Sequence, residues 1–179
     1  MAWSDPQARE TGDIITAAIW NQDVVDNGAY LYGQHPQSAL LQSLESVQAA
    51  GGALTIANIM GSGWFGYAAY QNPAANGDER HWSVLLAQGV YTVKFLGYTS
   101  TGGGKADWSL DGVSITTGQE WYSGSTTYNV VYTVSSVAVA AGGRHLLKAV
   151  INGKNASSLG YGMYLTAIWF VRSAITQGV

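Results

Sequence analysis

Residues 108–115 read Trp108-Ser109-Leu110-Asp111-Gly112-Val113-Ser114-Ile115. Two runs of alternating apolar and polar side chains flank an Asp-Gly pair, and both turn residues tolerate the positive φ that a two-residue hairpin demands. The stretch predicts an antiparallel β-hairpin. Working outward, short runs rich in Val, Thr, Tyr and Trp alternate with Gly, Asn and Asp. They predict strands near 53–60, 64–70, 80–86, 89–98, 105–110, 113–116, 127–139, 143–152 and 160–172. Thr101-Gly102-Gly103-Gly104 reads as a flexible hairpin tip. No repeat of fixed period occurs. Many short or medium strands joined by Gly-rich turns imply a mainly β chain folded as an antiparallel sandwich or barrel.

Upstream of Gly51-Gly52 the pattern and the charge both change. Residues 1–50 carry six acidic side chains against Arg9 alone, whereas the remainder carries a small positive excess. The reading is therefore a helical arm over 1–50 followed by a sandwich domain over 51–179. Within the arm, Thr16 is placed to cap a helix over about 17–32. A second helix is expected over 37–50, because Leu40, Leu41, Leu44 and Val47 fall on one face at helical spacing. A helix this short needs tertiary or intersubunit packing to persist in water.

Composition narrows the functional classes. In 179 residues there is no cysteine, which removes disulfides, thiolate metal sites and cysteine nucleophiles. The net charge of −3 argues against sequence-blind attraction to nucleic acid or anionic membrane. Apolar runs such as 164–171 fall far short of the ~20 residues needed to span a bilayer, and the start Met1-Ala2-Trp3-Ser4-Asp5-Pro6 lacks the basic and apolar regions of a secretory leader. A charged fraction of 11% against 12% aromatics suggests a surface partly covered by neighbours, since soluble domains usually carry ~25% charged residues.

Catalytic constellations are scarce. His35, His81 and His145 lie far apart, and His81 and His145 open strands, where a hydrogen-bonded structural role is expected. No nucleophile elbow or phosphate-binding loop is present. Asp107 and Asp111 would stand about 13 Å apart on one extended strand, too far for the paired-acid chemistry of glycosidases. Glu120 could join either acid only through tertiary folding, which leaves a glycoside hydrolase as a residual reading. No cofactor or metal is implied. The richer signal is aromatic: Trp121-Tyr122 in a polar, Gly-flanked stretch, with Tyr128 close behind, could form a glycan platform, although seven Trp in one sandwich are more economically explained as core filling and intersubunit packing.

Two resemblances extend these readings. Met1-Ala2-Trp3-Ser4-Asp5-Pro6, Thr11-Gly12-Asp13-Ile14-Ile15-Thr16-Ala17-Ala18, and Trp20-Asn21 followed by Val24, Asp26 and Asn27 resemble the N-terminal segment of tailed-bacteriophage virion structural proteins, with Val25 standing where an Arg is usual. Tyr91-Thr92-Val93-Lys94-Phe95-Leu96-Gly97, Trp108-Ser109-Leu110-Asp111-Gly112 and Gly142-Gly143-Arg144-His145-Leu146-Leu147 resemble a jelly roll of the carbohydrate-binding-module type. That second likeness is one of fold and carries over no ligand residue.

Together the resemblances imply a non-enzymatic virion protein on the particle exterior, a capsid decoration protein or short head or tail fibre. Its arm would dock through Trp3, Ile14, Ile15, Trp20, Asn21, Val24, Asp26 and Asn27, and its sandwich would project outward. Expected partners are capsid or tail proteins, further copies of the chain and host-surface glycan. The alternative is a carbohydrate-binding module or lectin stacking sugars on Trp121, Tyr122 and Tyr128. A homotrimer is expected from Leu40, Leu44 and Val47 as a three-stranded seam; the competing arrangement folds that helix onto its own sandwich.

Overall fold

The computed structural model describes residues 38–42, 47–58, 67–72 and 74–174. Among them the chain forms eleven strands and no helix. In order they are β1 (Ser38–Gln42), β2 (Val47–Ala50), β3 (Ala53–Asn58), β4 (Tyr67–Asn72), β5 (Glu79–Leu86), β6 (Gly89–Thr99), β7 (Gly104–Leu110), β8 (Val113–Glu120), β9 (Thr127–Val139), β10 (Gly143–Lys154) and β11 (Leu165–Ala174). They build two antiparallel sheets. One runs β3-β4-β11-β6-β9, with β1 also paired to β11, and the other runs β2-β5-β10-β7-β8. This is the arrangement expected of a jelly-roll sandwich, and no helix among the described residues is long and apolar enough to cross a membrane.

Alternation explains how the layers meet. On β5, Trp82, Val84 and Leu86 are buried while Ser83 and Leu85 face out; on β6, Tyr91, Val93 and Phe95 do the same. Phe95 of one sheet meets Trp108 of the other at 4.1 Å between ring centroids, and Trp108 in turn stacks on Trp82 at 5.6 Å. Aromatics therefore bridge the two layers at the centre. Arg80 follows the same inward face of β5 and is buried, with its guanidinium 4.8 Å from the Trp82 ring; desolvation draws its pKa down to about 9. The turn at 111–112 is as the sequence predicts, with φ of 51° at Asp111 and 81° at Gly112 and Leu110 paired to Val113.

The helix expected over 37–50 is not formed. Its residues supply β1 and β2, which pair with β11 and β5 in different sheets. Leu40 and Leu41 show why: on a strand, neighbours point to opposite faces, and Leu41 enters the core while Leu40 is 48% exposed. The spacing of Leu40, Leu41 and Val47 fits a helical stripe on paper, but long-range pairing with β11 overrides local pattern. Leu40 and Val47 thus lie on separate sheets and share no helical seam, which removes the geometric basis for a threefold through them. Leu44 and the helix expected over 17–32 lie outside the described residues.

Candidate functional site at one end of the sandwich

Three connections converge at one end of the sandwich: residues 100–103 between β6 and β7, 121–126 between β8 and β9, and 155–164 between β10 and β11. Their backbones are laced together. Ser100 N donates to the Trp121 carbonyl at 3.1 Å, Leu159 N to the Thr101 carbonyl at 2.8 Å, and Gly162 N to the Gly102 carbonyl at 2.9 Å. The buried Ser158 hydroxyl lies within 3.2 Å of the Thr101, Gly103 and Gly160 carbonyls and accepts from Gly160 N. One side chain thereby ties the third loop to the first.

Glycine makes this proximity possible. A Cβ at Gly103 would stand 1.9 Å from the Trp121 carbonyl oxygen, and one at Gly97 would stand 2.1 Å from the Tyr164 carbonyl oxygen and 2.7 Å from the Trp121 ring. No side chain fits either position unless backbone moves. The run Thr101-Gly102-Gly103-Gly104 is therefore a close-packed strut in the fold, where the sequence suggested only a flexible tip.

On this base stands a tyrosine cluster. The Tyr164 ring stacks on Tyr98 with centroids 4.5 Å apart and planes 17° from parallel. Tyr128 leans against Tyr98 at 5.8 Å and 51°, and is 45% exposed. Tyr98 is buried and Tyr164 half-buried, so the cluster has a fixed foundation and an accessible rim. Nearby, Lys154 sits 4.9 Å over the Tyr161 ring. Polar groups around the rim are organised as well: Thr99 Oγ1 donates to Ser123 Oγ at 2.9 Å, and Ser123 Oγ reaches the Ser125 carbonyl.

Of the three proposed platform residues, the structure separates one from the others. Trp121 is 0% exposed and belongs to the core, edge-on to Tyr132 at 5.2 Å, so it offers no face to a ligand. Flanking polarity suggested a surface position; instead Gly97 lies close against the indole ring, while Gly103 packs on the Trp121 carbonyl. Tyr122 is half-buried and Tyr128 exposed, at the same end. Sequence reasoning missed Tyr98 and Tyr164. The available signal was Gly-Tyr-Gly-Met-Tyr at 160–164, where tyrosines sit beside glycines that let rings lie against backbone.

The acidic residues have local duties. Asp107 accepts hydrogen bonds from Gly118 N and the Asn152 side chain, both at 2.7 Å. Asp111 accepts from Leu146 N at 2.8 Å and pairs with His145 Nδ1 at 2.6 Å. The Leu146 amide first and His145 second hold the Asp111 carboxyl below the usual aspartate range. Glu120 is opposite Lys105 on β8 and β7, and its carbonyl accepts from the Tyr132 hydroxyl, whose pKa is raised by burial and then by the Glu120 charge. His81 pairs with Glu79, in keeping with a structural role. Among the described residues no group of three or more His, Asp or Glu side chains is placed to hold a metal ion. The arm residues Trp3, Ile14, Ile15, Trp20, Asn21, Val24, Asp26 and Asn27 lie outside the described residues.

No protein-family model matches the chain, and no curated protein does. Solved structures with the same fold are more informative. Part of a Paenibacillus xanthan lyase superposes on 79% of this chain with a TM-score of 0.66 and 22% identity, and the match spans 13% of the lyase. The CBM36-1 domain of a multidomain xylanase from the hindgut metagenome of Trinervitermes trinervoides matches over its full length and 78% of this chain, at TM-score 0.57 and 13% identity. The carbohydrate-binding module CBM36, solved with calcium and xylotriose, matches 74% of this chain over 98% of its own length, at TM-score 0.53 and 18% identity. At these identities the likeness is one of fold.

Proposed function

We propose that the chain is a non-catalytic glycan-binding module whose ligand stacks on the Tyr98–Tyr128–Tyr164 cluster. The observation that carries this reading is the exposed Tyr128 ring on a pre-stacked tyrosine base, in a sandwich of the same fold as carbohydrate-binding modules. Tyrosine offers an apolar ring face with a polar tip, which suits the C–H face and hydroxyl rim of a sugar. Because Ser158 and the Gly97 and Gly103 approaches already fix the loops, little ordering entropy is lost on binding. The calcium in the CBM36 structure has no counterpart cluster among the described residues here, and no part of the proposed recognition runs through a cation.

Glycan-array binding by the full chain tests the reading. Tyr128→Ala should abolish or strongly weaken it with the thermal transition preserved, because Tyr128 is surface-exposed. Unchanged binding by that variant would refute the platform. A second reading is a structural protein of the virion exterior, supported by the resemblance over residues 1–27. It requires that deleting residues 2–35 abolish attachment to particles; decoration by the truncated chain would reject it.

A further inference from the structure

We propose a second ligand site, at the opposite end of the sandwich, that takes a neutral saccharide in the groove between β8 and β9. It rests on the glycan-binding reading only for the choice of ligand; the groove itself is a separate observation. β8 and β9 are the terminal strands of their respective sheets, and between the start of β8 and the end of β9 they leave a groove of about 520 Å³. That volume falls within the ~300–1,000 Å³ range of small-molecule sites.

Val113, Ile115, Val137 and Val139 provide apolar walls, and His145 lines the same space. Asp111, half-exposed and also lining the groove, holds that histidine: one carboxylate oxygen accepts from Leu146 N at 2.8 Å and the other meets His145 Nδ1 at 2.6 Å. An ionised carboxylate only accepts, so Nδ1 carries a proton towards Asp111 and Nε2 is the ring nitrogen left over. That Nε2 atom is buried and has no hydrogen-bond partner among the described residues. An unmet buried polar atom is unfavourable, and a small shift of the half-buried ring towards the groove lets a ligand hydroxyl, which both donates and accepts, supply what it lacks.

The backbone also departs from regularity here. The β6–β9 register slips between the pairs Tyr91–Val137 and Val93–Val134, and Ser136 in this bulge adopts φ of 62°. A non-glycine residue in the left-handed region is held there by its surroundings, and bulges commonly re-aim side chains beside binding sites. Ser136 lines the groove. No Lys or Arg among the described residues lines it, so an anion finds no countercharge, and both Asp111 oxygens already hold hydrogen bonds. Apolar walls, one unpartnered ring nitrogen and adjacent hydroxyls match a ring with an apolar face and a hydroxylated edge.

The test is NMR titration of the ¹⁵N-labelled full chain with xylotriose, cellotriose and mannotriose, which are neutral and differ in hydroxyl geometry or ring substitution. At least one should produce saturable shifts in the 110–115 and 137–141 amides and in the His145 ring. His145→Leu should weaken that response by about three- to tenfold, the scale of one lost hydrogen bond. Ala138→Trp, at an exposed position that lines the groove, should block it with the fold retained. Tyr128→Ala should leave it unchanged. No shift at these amides with any of the three sugars overturns the second site, as does a response that survives both groove variants. Shifts confined to the Tyr98, Tyr128 and Tyr164 end overturn it while leaving the first reading standing; silence at both ends rejects both.

Discussion

Gly97→Ala is the sharpest probe of how the tyrosine end is built. The added methyl carbon would lie 2.1 Å from the Tyr164 carbonyl oxygen and 2.7 Å from the Trp121 ring, where ordinary contacts begin near 3.4 Å. Neither neighbour is the free end of a flexible chain, so the two segments must separate by roughly 1 Å, and overpacking of this kind costs about 1–3 kcal/mol. Separation also stretches the hydrogen bond from Tyr98 N to the Tyr164 carbonyl, now 3.1 Å, which contributes about 0.5–1.5 kcal/mol more. The expected loss is about 2–4 kcal/mol, which for a chain of this size lowers Tm by roughly 5–15 °C. Differential scanning calorimetry reads it directly. Gly153→Ala is the matched control, because its φ is +90° and nothing lies within 4 Å of the added carbon, so only backbone strain of about 1–2 kcal/mol applies. If Gly97→Ala melts within about 1 °C of the parent, or if Gly153→Ala is the more damaging, the close-approach account is wrong.

Other outcomes follow from single contacts. Trp121→Ala should cost about 3–5 kcal/mol in urea unfolding, the scale for emptying a buried aromatic; a variant of unchanged stability that merely lost glycan binding would place the indole at the surface after all. Asp111 and Glu79 have depressed carboxyl pKa values, set first by the Leu146 amide and by the Lys148 hydrogen bond respectively. Their stabilising effect is therefore complete above the ordinary values of 3.8 and 4.5 and fades as pH falls through the lower folded values. The double variant Asp111→Asn, Glu79→Gln should show a shallower loss of Tm below about pH 4 than the parent, and parallel curves would contradict the pairing. Ser136→Gly should stabilise the chain by up to about 1 kcal/mol if the left-handed conformation is strained; destabilisation in equilibrium unfolding would show that the serine side chain is needed there.

The strands from 79 onward were legible because each satisfies a local rule. Asp111-Gly112 fits one turn type, and the buried positions alternate along β5 and β7 and along β6 as far as Phe95. Residues 37–50 were not, since a few leucines and a valine at three- and four-residue intervals suit a helix as well as two strands whose partners lie elsewhere in the chain, β11 for the first and β5 for the second. The candidate site was half legible. Tyr128 is exposed, but Trp121 sits in equally polar sequence and is buried, with Gly97 from a distant strand against its ring. His145 was read as a bonded structural histidine, and its Nδ1 is one; that its other nitrogen lacks a partner depends on which strands end beside it, which no spacing within the sequence encodes.

The bulged outer strand bears on solubility. From Trp121 to Gly143 the sequence contains no charged residue, and β9, which runs through this stretch, pairs among the described strands only with β6. Exposed edges are commonly kept from joining those of neighbouring molecules by lysines, which repel. Here the interruption is geometric: left-handed residues at Asn129 and Ser136 break the regular ladder near each end and leave only a short straight run between them. Protection of that kind does not depend on electrostatic repulsion and is not screened by salt. Its weakness is of another sort, for deleting a single bulge residue would restore register and hand the next molecule a longer straight edge.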